Sequence, residues 1–262
     1  MRVIQALSLL LLAGCQTTGG TSKGAALPDV GGVEQSWAHS QIVIPATRVK
    51  SNWPEEIAPW ADPSGWQDYV RGELTTPNAK LPAVVYAHGC SGLPANAEFV
   101  DFLARLGFAV FAPNSFGRTG RKQHCYQQHG TPTYAYRQEE ITYALARVRE
   151  IPWIDQDNIV LVGHSEGGEA AGEWNERGFR AIVISGADCR TPSTNGSPLA
   201  PSDIPLLSII GAKDTRQFPG CSVAGRGAGS KTVIVSGAGH SVYRHKKGQA
   251  ALAAFLKACC GG

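Results

Sequence analysis

Apolar residues along the chain gather in short β-branched runs, separated by longer segments with helical spacing. Ala83-Val84-Val85-Tyr86-Ala87, Phe108–Ala112, Ile159–Val162, Ala181–Ile184, Pro205–Ile210 and Thr232–Val235 are such runs. Each is too short for a helix and lacks polar alternation, which is the pattern of a strand buried on both faces. Between them, Ala95–Leu106 sets Phe99, Phe102, Leu103 and Leu106 on one helical face and stops at Gly107. Tyr134–Glu150 does the same with Ile141, Ala144, Leu145 and Val148, and Gly248–Ala258 with Leu252, Phe255 and Leu256. A small-residue helix, Glu169–Trp174, follows the 159–162 strand. Strands alternating with helices predict an α/β fold, a mostly parallel sheet with helices on both faces. Gln41–Val49 and Gln67–Leu74 also read as strands. Trp53, Trp60 and Trp66, interleaved with Pro54, Pro59 and Pro63, have no clear period and are expected to pack on the domain edge.

The N-terminus carries a different pattern. Arg2 precedes a short apolar run, Val3–Leu12, too short to span a bilayer as a mature helix. Leu12-Ala13-Gly14-Cys15 then resembles the lipobox of bacterial lipoproteins, which implies acylation of Cys15. Gln16 after the cysteine implies, by the same resemblance, an outer-membrane protein facing the periplasm. The expected organisation is a signal peptide over 1–14, a Thr/Gly/Ser-rich tether over 15–30 and one domain over 31–262.

Composition narrows the function. The 262 residues are 43% hydrophobic and 17% charged, as in a globular chain. A formal net charge of +3, with no basic run, argues against a nucleic-acid partner and leaves membrane contact to the lipid. Export would make Cys90, Cys125, Cys189, Cys221, Cys259 and Cys260 disulfide candidates. Their pairing is open, with Cys189–Cys221 favoured because both lie in loops at one edge of the predicted sheet. His124-Cys125 with His129 is the nearest approach to a metal-ligand cluster and reads as a loop, so no metal is expected.

In parallel sheets the site lies beyond the carboxyl ends of the strands. Ser165 follows its strand within Gly163-His164-Ser165-Glu166-Gly167, a G-x-S-x-G between a strand and a helix. Such a turn presents the serine outward, and the helix N-terminus aims free N–H groups at the same place. Asp214 follows the 205–210 strand, and His240 follows the 232–235 strand. A serine hydroxyl needs an imidazole to take its proton and an acid to orient that imidazole. Asp188 is a reserve acid. The oxyanion donors expected are the backbone N–H groups of Glu166 and of Cys90, in His88-Gly89-Cys90-Ser91-Gly92. His88 is expected mainly to support that loop. The Asn114–Thr133 loop, with Tyr134, Tyr136 and Arg137, is expected to wall a pocket. Arg118 could anchor an acidic group or form an ion pair, for instance to Glu166.

Tyr86–Gly92 (YAHGCSG), Phe111–Arg118 (FAPNSFGR), Gly163–Gly168 (GHSEGG), Gly211–Asp214 (GAKD) and Gly237–His240 (GAGH) resemble the dienelactone-hydrolase-like branch of the α/β-hydrolases. The likeness spans about residues 80 to 258 and implies that fold, with the order Ser, Asp, His. Dienelactone hydrolases proper use a cysteine nucleophile. Ser165 at that position favours a general carboxylic ester hydrolase working through an acyl-enzyme on a small-molecule ester, with no cofactor. The alternatives are a dienelactone-type lactone hydrolase, a serine peptidase of the same fold, and a non-catalytic ligand-binding surface lipoprotein.

Overall fold

The structure is a computed structural model; it describes residues 32–50, 66–76, 78–121, 125, 132–191, 194–216 and 219–260. Cys15 and the tether, Trp53 and Trp60, and Lys122, His124 and His129 lie outside them.

Among the described residues seven strands form one sheet: β1 (Gln41–Val43), β2 (Leu81–Ala87), β3 (Ala109–Ala112), β4 (Ile154–His164), β5 (Ala181–Ser185), β6 (Leu206–Gly211) and β7 (Lys231–Val235). Their order across the sheet is β1-β3-β2-β4-β5-β6-β7. All neighbours pair in parallel except β1, which runs antiparallel to β3 at the edge. The described residues also form the helices α1 (Val33–Ala38), α2 (Trp66–Glu73), α3 (Ala97–Arg105), α4 (Pro132–Arg149), α5 (Glu166–Gly172) and α6 (Lys246–Cys260).

Strand side chains alternate between two cores. Val84, Val160, Val162, Val183 and Leu207 pack with Phe99, Val100 and Leu103 of α3 and Leu252, Phe255 and Leu256 of α6. Val85, Leu161, Ile182 and Ile184 face the other way, onto Ile141, Leu145 and Val148 of α4 and Ala170 and Ala171 of α5. Central strands covered on both faces must be apolar at every position, which is why the sequence shows unbroken runs rather than alternation. The fold is therefore the expected α/β class with helices on both faces of a mostly parallel sheet.

Two readings need correction. Gln67–Leu74 is not a strand: Trp66–Glu73 is helix α2. Val70 and Leu74 are buried while residues 68, 69, 71 and 72 are exposed, so the apolar spacing is i, i+4, which belongs to a helix. The strand from Gln41 ends at Val43, and Ala46–Arg48 is a 3-10 turn. α1 went unread, because one turn and a half of helix offers too little periodicity.

Parallel pairing sets strand ends side by side. Ala87 is in register with Gly163, His164 with Ser185, and Gly211 with Val235. The loops leaving β2, β4, β6 and β7 thus open on the same edge of the sheet.

Candidate active site

Ser165 occupies the turn from β4 into α5. Its backbone adopts φ 55° and ψ −120°. This left-handed conformation costs a non-glycine residue about 1–3 kcal/mol, so the surroundings must hold it. They do: the Ser165 N–H donates to the Ser185 carbonyl at 2.9 Å, and its own carbonyl accepts from Glu169 N–H at 2.9 Å. The flanking glycines are required by space. A Cβ on Gly163 would overlap the Gly167 carbonyl, and one on Gly167 would overlap the Ala87 carbonyl.

His240 reaches the same place from the loop after β7. Its Nδ1 meets Asp214 Oδ2 at 2.6 Å, and the Asp214 carboxylate is almost wholly buried. Burial holds the His240 imidazole below its ordinary range, opposed by the Asp214 hydrogen bond and reinforced by the nearby Arg216 charge. A neutral ring with Nδ1 tied to a carboxylate leaves Nε2 free to act as a base. His164, one residue before Ser165, is buried with its ring centroid 4.9 Å from that of His240. Burial first, and His240 second, hold it down to about 3.

The Ser165 hydroxyl does not meet His240 in this structure. Its hydrogen bond comes from Arg216 Nη1, at 2.9 Å. Arg216 follows Asp214 by two residues, and its N–H donates to Asp214 Oδ1 at 3.1 Å. Sequence reasoning missed Arg216. An arginine just after the candidate acid was the available signal.

The loop after β2 abuts the serine: a Cβ on Gly89 would lie 3.2 Å from Ser165 Cβ. Asn96 braces this loop, accepting from Gly89 N–H at 3.3 Å and donating to the Gly92 carbonyl at 3.1 Å. Among the described residues, the backbone N–H groups of Cys90 and Glu166 have no acceptor. They are free to meet a developing oxyanion.

His88 is fully buried beneath the loop. Its Nε2 accepts from Ser115 N–H at 3.0 Å and its Nδ1 meets the Gly89 carbonyl at 2.7 Å. Burial and Arg137 hold its pKa well below the ordinary histidine range. Arg118 pairs with Glu139 at 2.9 Å and Glu140 at 3.7 Å, not with Glu166. Glu166 is bound instead by Arg121 and Arg137. Tyr134 donates to Glu169 at 2.5 Å. Tyr136 and Arg137 are buried rather than lining open space. Asp188 pairs with Arg190.

Cys189 and Cys221 are joined in a disulfide, as are Cys90 and Cys125, and Cys259 and Cys260. Among the described residues no group of histidines, cysteines and acids could hold a metal ion, and no helix is long and apolar enough to cross a membrane.

The strand-end serine, the His240–Asp214 pair and the loop after β2 sit within a stretch, residues 70–253, that matches the dienelactone hydrolase family. The chain belongs to the dienelactone hydrolase family. Solved structures of similar fold include the esterase PE8, 20% identical with a TM-score of 0.50, over 69% of this chain and 94% of that one. The Pyrococcus furiosus esterase Pf2001 is 14% identical, with a TM-score of 0.52, over 70% of this chain and 85% of that one. The acylaminoacyl peptidase of Pyrococcus horikoshii is 16% identical, with a TM-score of 0.54, over 71% of this chain but 38% of that one. At such identities the likeness is one of fold. No curated protein matches the chain.

Proposed function

We propose that this member of the dienelactone hydrolase family is a serine hydrolase of carboxylic esters, acting through an acyl-enzyme. Ser165 Oγ attacks the ester carbonyl, and His240 Nε2 takes its proton. Asp214 keeps Nδ1–H oriented and stabilises the imidazolium. The N–H groups of Cys90 and Glu166 hold the tetrahedral oxyanion. His240 then returns the proton to the leaving alcohol, and water repeats the sequence on the acyl-enzyme. To begin, the Ser165 hydroxyl must turn from Arg216 to His240. The observation that carries this reading is the serine held at positive φ at the end of β4, on the same sheet edge as the 2.6 Å His240–Asp214 pair.

A lactone is an internal ester and takes the same steps, and the family match makes lactones part of the test. The full-length chain, purified in detergent, is assayed on p-nitrophenyl acetate, p-nitrophenyl butyrate and a panel of lactones, beside Ser165→Ala. Turnover lost in the variant supports the proposal. Equal inertness of both proteins, with no fluorophosphonate label on Ser165, would overturn it in favour of a non-catalytic binding role.

We further propose that Cys15 is lipidated after removal of 1–14, and that 15–30 tethers the 31–262 domain to the outer membrane on its periplasmic side. The lipobox-like Leu12–Cys15 supports this, as do the disulfides, which persist in oxidising compartments. A palmitate analogue should label the wild type and not Cys15→Ser; label retained by the variant ends the idea.

A further inference from the structure

Between α4 and the sheet edge lies a buried charge cluster that the proposed chemistry leaves unexplained. Arg137 of α4 is 2% exposed. Its Nε and Nη2 donate to Glu166 Oε1 at 2.9 and 2.8 Å. The same Nη2 donates to the His88 carbonyl at 2.9 Å. Its Nη1 faces Glu140 Oε2 at 3.4 Å. Arg121 adds a second cation to Glu166, at 3.0 Å. Ser115 in turn donates to Glu140 at 2.9 Å.

The two anchors of Arg137 are the two walls of the oxyanion hole. Glu166 opens α5 and supplies one N–H. His88 opens the loop that supplies the other, two residues later at Cys90. A carboxylate beside a developing oxyanion repels it unless neutralised. A planar guanidinium can both neutralise Glu166 and fork across to the His88 carbonyl; an ammonium cannot span both with fixed geometry.

We propose that Arg137 is a positioning residue of the oxyanion hole. It locks the Glu166 and His88–Cys90 walls at one spacing and shares with Arg121 the neutralisation of the Glu166 charge. It touches no reacting atom and acts through those two segments. The inference rests on the ester-hydrolase reading above and deepens it.

The test compares full-length wild type with Arg137→Lys, Arg137→Gln and Arg137→Gln/Glu166→Gln. Rates are normalised to fluorophosphonate-titrated sites, so misfolded protein does not count. Losing one oxyanion donor costs on the order of 100- to 1,000-fold; loosening both walls should cost roughly 10- to 100-fold in kcat, with KM changed less than about threefold. Phenylboronic acid, which forms a tetrahedral adduct on the serine, should lose affinity in proportion to kcat. The double variant, in which no Glu166 charge is left for Arg121 alone to neutralise, should recover part of the loss seen in Arg137→Gln.

Single variants with wild-type kcat per titrated site would overturn the proposal. So would a loss confined to KM, an unchanged boronate affinity, or a double variant no better than Arg137→Gln. If Arg137→Gln does not fold, Arg137→Lys alone carries the decision by the same kcat and boronate criteria. A wild type inactive on every ester removes this inference together with the ester-hydrolase reading. An active wild type with an indifferent Arg137 removes this inference alone.

Discussion

At the residue scale, the candidate site turns on which of two groups holds the Ser165 hydroxyl. The Arg216 guanidinium lies against both Ser165 Oγ and the His240 ring. Arg216 donates to Oγ at 2.9 Å, and its charge helps hold His240 below the ordinary histidine range. A base with a lowered pKa stays neutral, and so active, to lower pH. Arg216→Ala removes one of the lowering influences, so the His240 pKa should rise towards its usual value. The acid limb of the kcat/KM profile should then move to higher pH, and fluorophosphonate labelling of Ser165 at neutral pH should quicken. A limb that stays in place would mean that Arg216 does not bear on the base. Ser165, Asp214 and His240 were legible as candidates because each follows a predicted strand. Arg216 offered only its place just after Asp214, since the approach of residues 51 apart depends on the path of the loop after β6.

At the element scale, the turn from β4 into α5 and the loop after β2 are packed backbone against backbone. Gly167 sits on the Ala87 carbonyl with no room for a methyl group. Gly167→Ala should force strand and helix apart, destabilising the chain by roughly 1–3 kcal/mol and reducing fluorophosphonate labelling of Ser165. A melting temperature and labelling equal to wild type would contradict that packing. The Cys189–Cys221 disulfide ties the segment after β5 to the excursion between β6 and β7, 32 residues apart in sequence. Cys189→Ala/Cys221→Ala should cost about 2–4 kcal/mol, measured as a urea midpoint below that of the wild type with both proteins kept free of reductant. The long apolar strands and amphipathic helices were legible from their period. Trp66–Glu73 was not: Val70 and, just beyond the helix, Leu74 make a single i, i+4 apolar pair, so the stretch read equally well as strand, and packing settled the choice.

At the scale of the whole molecule, the buried His88 and His164 and the half-buried His240 are expected to shape the response to acid. His88, His164 and His240 all have folded pKa values below the ordinary 6.5, so the unfolded chain binds protons that the fold refuses. Their stabilising contribution is complete above about pH 6.5 and shrinks as pH falls below it. Each refused proton costs about 1.4 kcal/mol per pH unit; for His164 the loss runs on down to about 3. Glu140 opposes this, since burial raises its pKa and acidification favours the fold through it. The urea midpoint should be lower at pH 5 than at pH 7.5, and His164→Asn should flatten that slope. An equal slope in the variant would show that His164 is not one of the groups concerned. What the sequence determined by itself was the alternation of strands and helices, the G-x-S-x-G turn, and the serine, acid and histidine after their strands. Those features are local: buried runs, tight turns and strand ends are written in consecutive residues. Tertiary structure alone decided the strand order, the antiparallel edge strand β1, the partner of Cys90 and the Arg137 bridge between Glu166 and His88. Each joins residues distant in sequence, and their meeting depends on how the helices pack over the sheet, which no local pattern encodes.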